Sequence, residues 1–86
     1  AGRLTIPAVL AHELGHMQFA GTAVPAGAWN DEFRASYWAA TQAPNLTRTE
    51  RATLLLDAIA RARESGILIQ PSQLMQEILY GYAVER

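Results

Sequence analysis

The chain has 86 residues, half of them apolar, and sets 7 Lys and Arg against 8 Asp and Glu for a formal net charge of -1. A chain this short forms one domain with a small core, hiding only about 60 to 65% of the surface its unfolded form exposes, and its charge balance offers no basic field for nucleic acid. The lack of cysteine excludes disulfides and thiolate zinc sites, and no apolar run approaches the roughly 20 residues that cross a bilayer.

The expectation is a soluble domain with no membrane partner. Ala1-Gly2-Arg3 does not have the form of a signal peptide, and compartment is not encoded in these features. The chain opens without methionine and reaches its first chemically informative residue soon afterwards, at His12. That suggests a processed or excised piece of a longer protein, and residues 1–86 are expected to be either a single small domain or the C-terminal part of one.

Arg3 to Ile6 is a short, β-permissive entry. A first helix is predicted from about Pro7 to Ala20, with Pro7 suited to its first turn and Gly21 placed to end it. Gly21 to Ala28 has the Gly and Pro content of a connector. A second helix should start at Asn30 or Asp31, either able to cap it, and run to about Gln42 before Pro44, with Phe33, Tyr37, Trp38 and Ala40 on its apolar face.

Thr47 and Glu50 stand at capping-box spacing and open a third helix that continues through Ser65 to Gly66. Its buried stripe is expected at Ala52, Leu55, Leu56, Ile59 and Ala62, with Arg48, Arg51, Asp57, Arg61 and Glu64 in wetter positions and Asp57 paired to Arg61 one turn on. Ile67-Leu68-Ile69 reads as a brief extended run that could pair with the N-terminal entry as a minimal β element. A fourth helix begins at Pro71 or Ser72 and carries Leu74, Met75, Ile78, Leu79 and Tyr82 at helical spacing. The fold class is therefore mainly α, with about four helices.

Within the first helix lies His12-Glu13-Leu14-Gly15-His16, an HExxH pentapeptide that uses both histidines of the chain. Two histidines placed at random would complete that pattern roughly once in 600 sequences of this length and composition. Positions four apart on a helix differ by about 40° in direction and about 6 Å in rise, so both imidazoles face one point. Such a pair is a metal grip, and zinc accepts two imidazoles, a third protein ligand and a water. Glu13 is free to act on that water as general base. The plainer alternative is a histidine pair on an amphipathic helix with Glu13 as a solvated charge. Gly15 is the unusual residue inside this helix, and its missing side chain would let another backbone or a substrate approach.

With histidine and cysteine exhausted, the third ligand must be a carboxylate. Asp31 and Glu32 open the second helix after a connector long enough to reverse direction, so that helix can return a side chain to the metal. Glu32 has the longer reach and is the expected ligand, leaving Asp31 as a cap. Ala35 and Ser36 behind it are small enough for close packing.

With HExxH and the downstream Glu32-Phe33-Arg34-Ala35, the chain resembles zincin metallopeptidases of the gluzincin type over about residues 7–40, under half its length. The pentapeptide is the specific part of that likeness and Glu-x-x-Ala the weak part. The metzincin extension is absent, since Phe19 and Thr22 stand where its glycine and third histidine belong.

The resemblance implies a small core of antiparallel active-site and ligand helices, with Zn²⁺ bound by His12, His16 and Glu32 and with Glu13 as catalytic base. It also implies a peptide or protein substrate. Larger gluzincins often carry an aspartate at the position of Ser36, where the hydroxyl is expected to accept an imidazole N–H bond. An oxyanion donor is expected from Tyr37, Tyr80, Tyr82 or Arg34. Zincins also hold extended substrates along the edge of a preceding sheet. Here that edge falls to Arg3 to Ile6 alone, to an upstream segment, or to a second chain. The alternative reading is a non-catalytic helical interaction module, with Trp29 and Trp38 among its contact residues and a structural or vestigial zinc site.

Overall fold

A computed structural model describes residues 4–21 and 28–85, with side chains described as far as Gly81. Four helices follow in order: α1 (Ile6–Gln18), α2 (Trp29–Gln42), α3 (Arg48–Glu64) and α4 (Gln73–Glu85). There is no strand among the described residues. Arg3 and most of the expected connector between the first two helices lie outside them, as does the side chain of Tyr82.

Several helix boundaries have a local cause. At α1, Thr5 accepts a hydrogen bond from the Ala8 backbone N–H at 3.3 Å, and Pro7 sits in the first turn where its missing N–H is harmless. Thr47 and Glu50 form the expected capping box at α3, with bonds of 3.1 and 2.9 Å. The Thr47 backbone N–H, followed by the Thr5 hydroxyl, holds the exposed Glu50 carboxyl below its ordinary pKa. Gly66, at φ 82°, takes the left-handed conformation that ends α3. Ser72 caps α4 by accepting from the Met75 N–H at 3.3 Å.

Several expectations are corrected. Neither Asn30 nor Asp31 caps α2, which starts earlier on Ala28 with no side-chain cap, so both project from its first turn. In α3, Leu54 and Ala58 are buried, Ile59 is half-buried and Leu56 is 47% exposed. Three consecutive leucines spread over most of a helical turn, and α3 packs on both α2 and α4, so Leu54 and Leu55 turn inward and Leu56 cannot. Arg51 is no solvated cation: it donates to the carbonyls of Ala40 at 3.0 Å and Ala43 at 2.8 Å, closing the C-terminus of α2. The minimal β element is absent from the described residues, because Thr5 is consumed as a helix cap and Ile67 to Ile69 serve as the link between α3 and α4.

The core is built from small residues. Ala8, Ala11, Ala35, Ala39, Ala40, Ala52, Ala58 and Ala62 are all buried, with Leu54 and Leu55 the only large side chains that are completely so among the described residues. Alanine faces let helix axes approach closely. The approach is tightest between α1 and α2, where a β-carbon built on Gly15 would stand 2.3 Å from the Ala35 carbonyl oxygen and 2.8 Å from its Cα.

That contact generates a prediction. In Gly15→Ala the methyl meets backbone that cannot rotate away, and overpacking of about 1 to 3 kcal/mol exceeds the roughly 1 kcal/mol that alanine adds to helix propensity. A lower urea midpoint is the expected result. An unchanged or higher midpoint would show that α1 and α2 part without cost.

Candidate metal centre

His12 and His16 stand one turn apart on α1, and Glu32 and Ser36 stand one turn apart on α2. His12 meets Glu32 and Ser36, whereas His16 meets Asp31 and Glu32, so partner numbers fall as α1 advances and the two helices run antiparallel. Glycine against alanine at the crossing brings the backbones near enough for these side chains to meet.

Three atoms converge. His12 Nε2 lies 2.8 Å from Glu32 Oε1 and 2.9 Å from His16 Nε2, and His16 Nε2 lies 3.3 Å from the same carboxylate oxygen. The rings meet edge to face, with centroids 4.6 Å apart and planes at 87°. Around a tetrahedral zinc with bonds of roughly 2.0 to 2.1 Å, ligand atoms stand about 3.3 to 3.4 Å apart, so this triangle needs to open by about half an ångström on its shorter edges. His12, His16 and Glu32 thus have the donor types, spacing and direction to hold a divalent ion.

The outer partners of the imidazoles support that geometry. His12 Nδ1 is 2.8 Å from Ser36 Oγ, and both residues are buried. His16 Nδ1 is 3.3 Å from Asp31 Oδ2. With each ring proton on the Nδ1 that faces an oxygen acceptor, both Nε2 lone pairs aim into the triangle. Three acceptor atoms would then face one another at contact distance, which a cation or a shared proton must relieve. Serine at position 36 supports the His12 ring with a neutral hydroxyl; Asp31 supports the His16 ring with a carboxylate.

Asp31 was expected as a cap, and its role beside His16 was missed. The readable signal was its place beside Glu32 on a helix running antiparallel to the histidines. It is 7% exposed and is steadied by Arg34, whose guanidinium donates to Asp31 Oδ1 at 3.1 Å and lies 4.7 Å above the Phe19 ring.

Arg61 is exposed, as expected, and in addition it reaches the converging group. Its expected bond to Asp57 is present at 3.0 Å, and NH1 also reaches Glu32 Oε1 at 3.4 Å. Asp57's hydrogen bond, more than the nearby charges, keeps Arg61 protonated even more firmly than an ordinary arginine, against the opposing effect of burial.

Glu13 is exposed on α1 and is not part of the converging group. Of the tyrosines expected as oxyanion donors, neither Tyr37 nor Tyr80 is brought to it. Tyr37 is five residues beyond Glu32, about 140° around the helix; its ring stacks on Phe33 and its hydroxyl lies 3.5 Å from Ser72 Oγ. Tyr80 is 72% exposed on α4, which packs against α3. Tyr37 instead lines an apolar groove of about 640 Å³ with Trp29, Phe33, Ile69 and Met75, and none of the converging residues borders it.

Comparison with known protein families, curated proteins and solved structures finds no match.

Ser36→Ala should lower the stability of the metal-free protein. Deleting a fully buried hydroxyl leaves His12 Nδ1 without its partner, a loss of about 1 to 3 kcal/mol. Urea denaturation in the presence of a chelator measures it, and an unchanged midpoint would mean that Ser36 does not hold the ring.

Proposed function

We propose that this chain is a zinc-dependent peptidase in which His12, His16 and Glu32 hold the metal and Glu13 is the general base. The observation that carries the reading is the approach of two imidazole nitrogens and one carboxylate oxygen to within 2.8 to 3.3 Å of one another, on antiparallel helices bearing HExxH and Glu-x-x-Ala. The gluzincin-like pattern supports the same assignment.

Bound by these residues, zinc would supply Lewis acidity toward a substrate carbonyl and a water whose pKa is lowered toward about 7. Glu13 is solvent-accessible and adjacent in sequence to a ligand, so its carboxylate takes the proton of the attacking water as the new C–O bond forms. The same carboxyl returns a proton to the amine nitrogen as the C–N bond breaks. Ser36 and Asp31 orient the two imidazoles, and Glu32 neutralises part of the ion's charge. The described residues contain no strand, so an extended substrate would pair with an edge supplied by an upstream segment or by a second chain.

A second reading, a helical interaction module whose zinc site is structural or vestigial, is favoured by the outer face of α1. There Ile6 is 77% exposed, Leu10 60% and Met17 68%. A helix apolar around most of its circumference is ordinarily covered.

Glu13 separates the readings. Purified protein should carry one zinc per chain by elemental analysis and degrade an unstructured protein in a chelator-sensitive manner. Glu13→Gln should retain the zinc and lose about 10²- to 10⁴-fold in rate. Zinc-loaded wild type without chelator-sensitive hydrolysis would favour the interaction module. His12→Ala should remove the zinc under either reading, and stoichiometric metal in that variant would overturn the ligand set.

A further inference from the structure

Glu32 is the only member of the converging group without a partner on α1 or α2 outside that group among the described contacts. Its support comes from α3. Arg61 NH1 lies 3.4 Å from Glu32 Oε1, the same oxygen that faces both Nε2 atoms, while Arg61 Nε donates to Asp57 at 3.0 Å. One edge of the guanidinium is thus held by an acid on its own helix, one turn earlier, and another edge is presented to the carboxylate on α2. Glutamate has three side-chain torsions, so the position of Oε1 depends on what it bonds beyond the site.

Resting on the zinc reading above, we propose that Arg61, braced by Asp57, is the positioning residue of the metal centre: it holds the Glu32 carboxylate toward the two imidazoles. The arrangement on α3 is specific to this task. Asp57 neutralises the guanidinium, so the cation adds little net repulsion toward a divalent ion while keeping its directional N–H groups. The planar fork of arginine suits two carboxylates at once, which a lysine ammonium matches less well. The side chain is 47% exposed, so the pair adds little to folding stability, and its effect is local to Glu32.

Zinc affinity of the intact chain, measured by competition with a chromophoric chelator, tests the proposal. Arg61→Gln should weaken binding about 10- to 100-fold, the usual consequence of removing an outer partner of a metal ligand. Asp57→Asn should weaken it less, and Arg61→Lys should restore part of the loss. The thermal midpoints of the metal-free variants should stay near that of wild type. Affinity that is unchanged or improved in Arg61→Gln would overturn the proposal.

Imidazole ¹⁵N spectra of the metal-free protein read the same positioning without zinc. If Arg61 holds Glu32 against both rings, Arg61→Gln shifts the Nε2 resonances of His12 and His16 in the direction produced by Glu32→Gln. Unshifted resonances refute the positioning role whether or not zinc binds. Shifted resonances in a protein that takes up no zinc would keep the role and refute the metal reading.

Discussion

The crossing of α1 and α2 at Gly15 and Ala35 is the constraint on which the rest depends. Imidazole and carboxylate side chains are short relative to ordinary helix separations, so His12, His16 and Glu32 meet only because the two backbones come close. Gly15 is the residue that permits this, and it does so at a cost in helix propensity. The alanines at 8, 11, 35 and 39 extend the small-residue interface along both helices. A core of small side chains limits the apolar area available to a short chain, and Leu54 and Leu55 on α3 supply much of the bulk that remains.

Packing this close brings ionisable groups out of water, and the arrangement of charge answers that. The acids that face the histidines each meet a cation: Asp31 meets Arg34, and Glu32 meets Arg61. Buried or half-buried carboxylates without such partners would be costly. The consequence is an ordered cluster, with Ser36 and Asp31 facing the outer nitrogens of the rings and leaving Nε2 turned inward.

α3 ties this assembly together. Its capping box at Thr47 and Glu50 takes up Thr5 at the start of α1, its Arg51 closes the end of α2, and its Arg61 reaches Glu32. Residues spaced along one helix therefore control both ends of the helix pair that carries the candidate centre. The exposed apolar face of α1, away from α2, is the part of the structure that these ties leave uncovered.

What the sequence determined by itself was local and periodic. The HExxH pair, the capping box, the Asp57–Arg61 bond and the positions of four helices follow from spacings of three and four residues, which helix geometry converts directly into neighbours. The meaning of Gly15 and Ser36 was also readable, because a missing or small side chain beside a metal motif marks a close approach. Tertiary structure alone decided that Asp31 faces His16 and does not cap its helix, that Arg61 reaches Glu32, that Tyr37 turns to Ser72, and that Leu54 takes the inward place expected for Leu56. Each of those outcomes depends on the rotation and axial offset of one helix against another. A shift of a single residue turns a side chain by about 100°, and no local pattern specifies it.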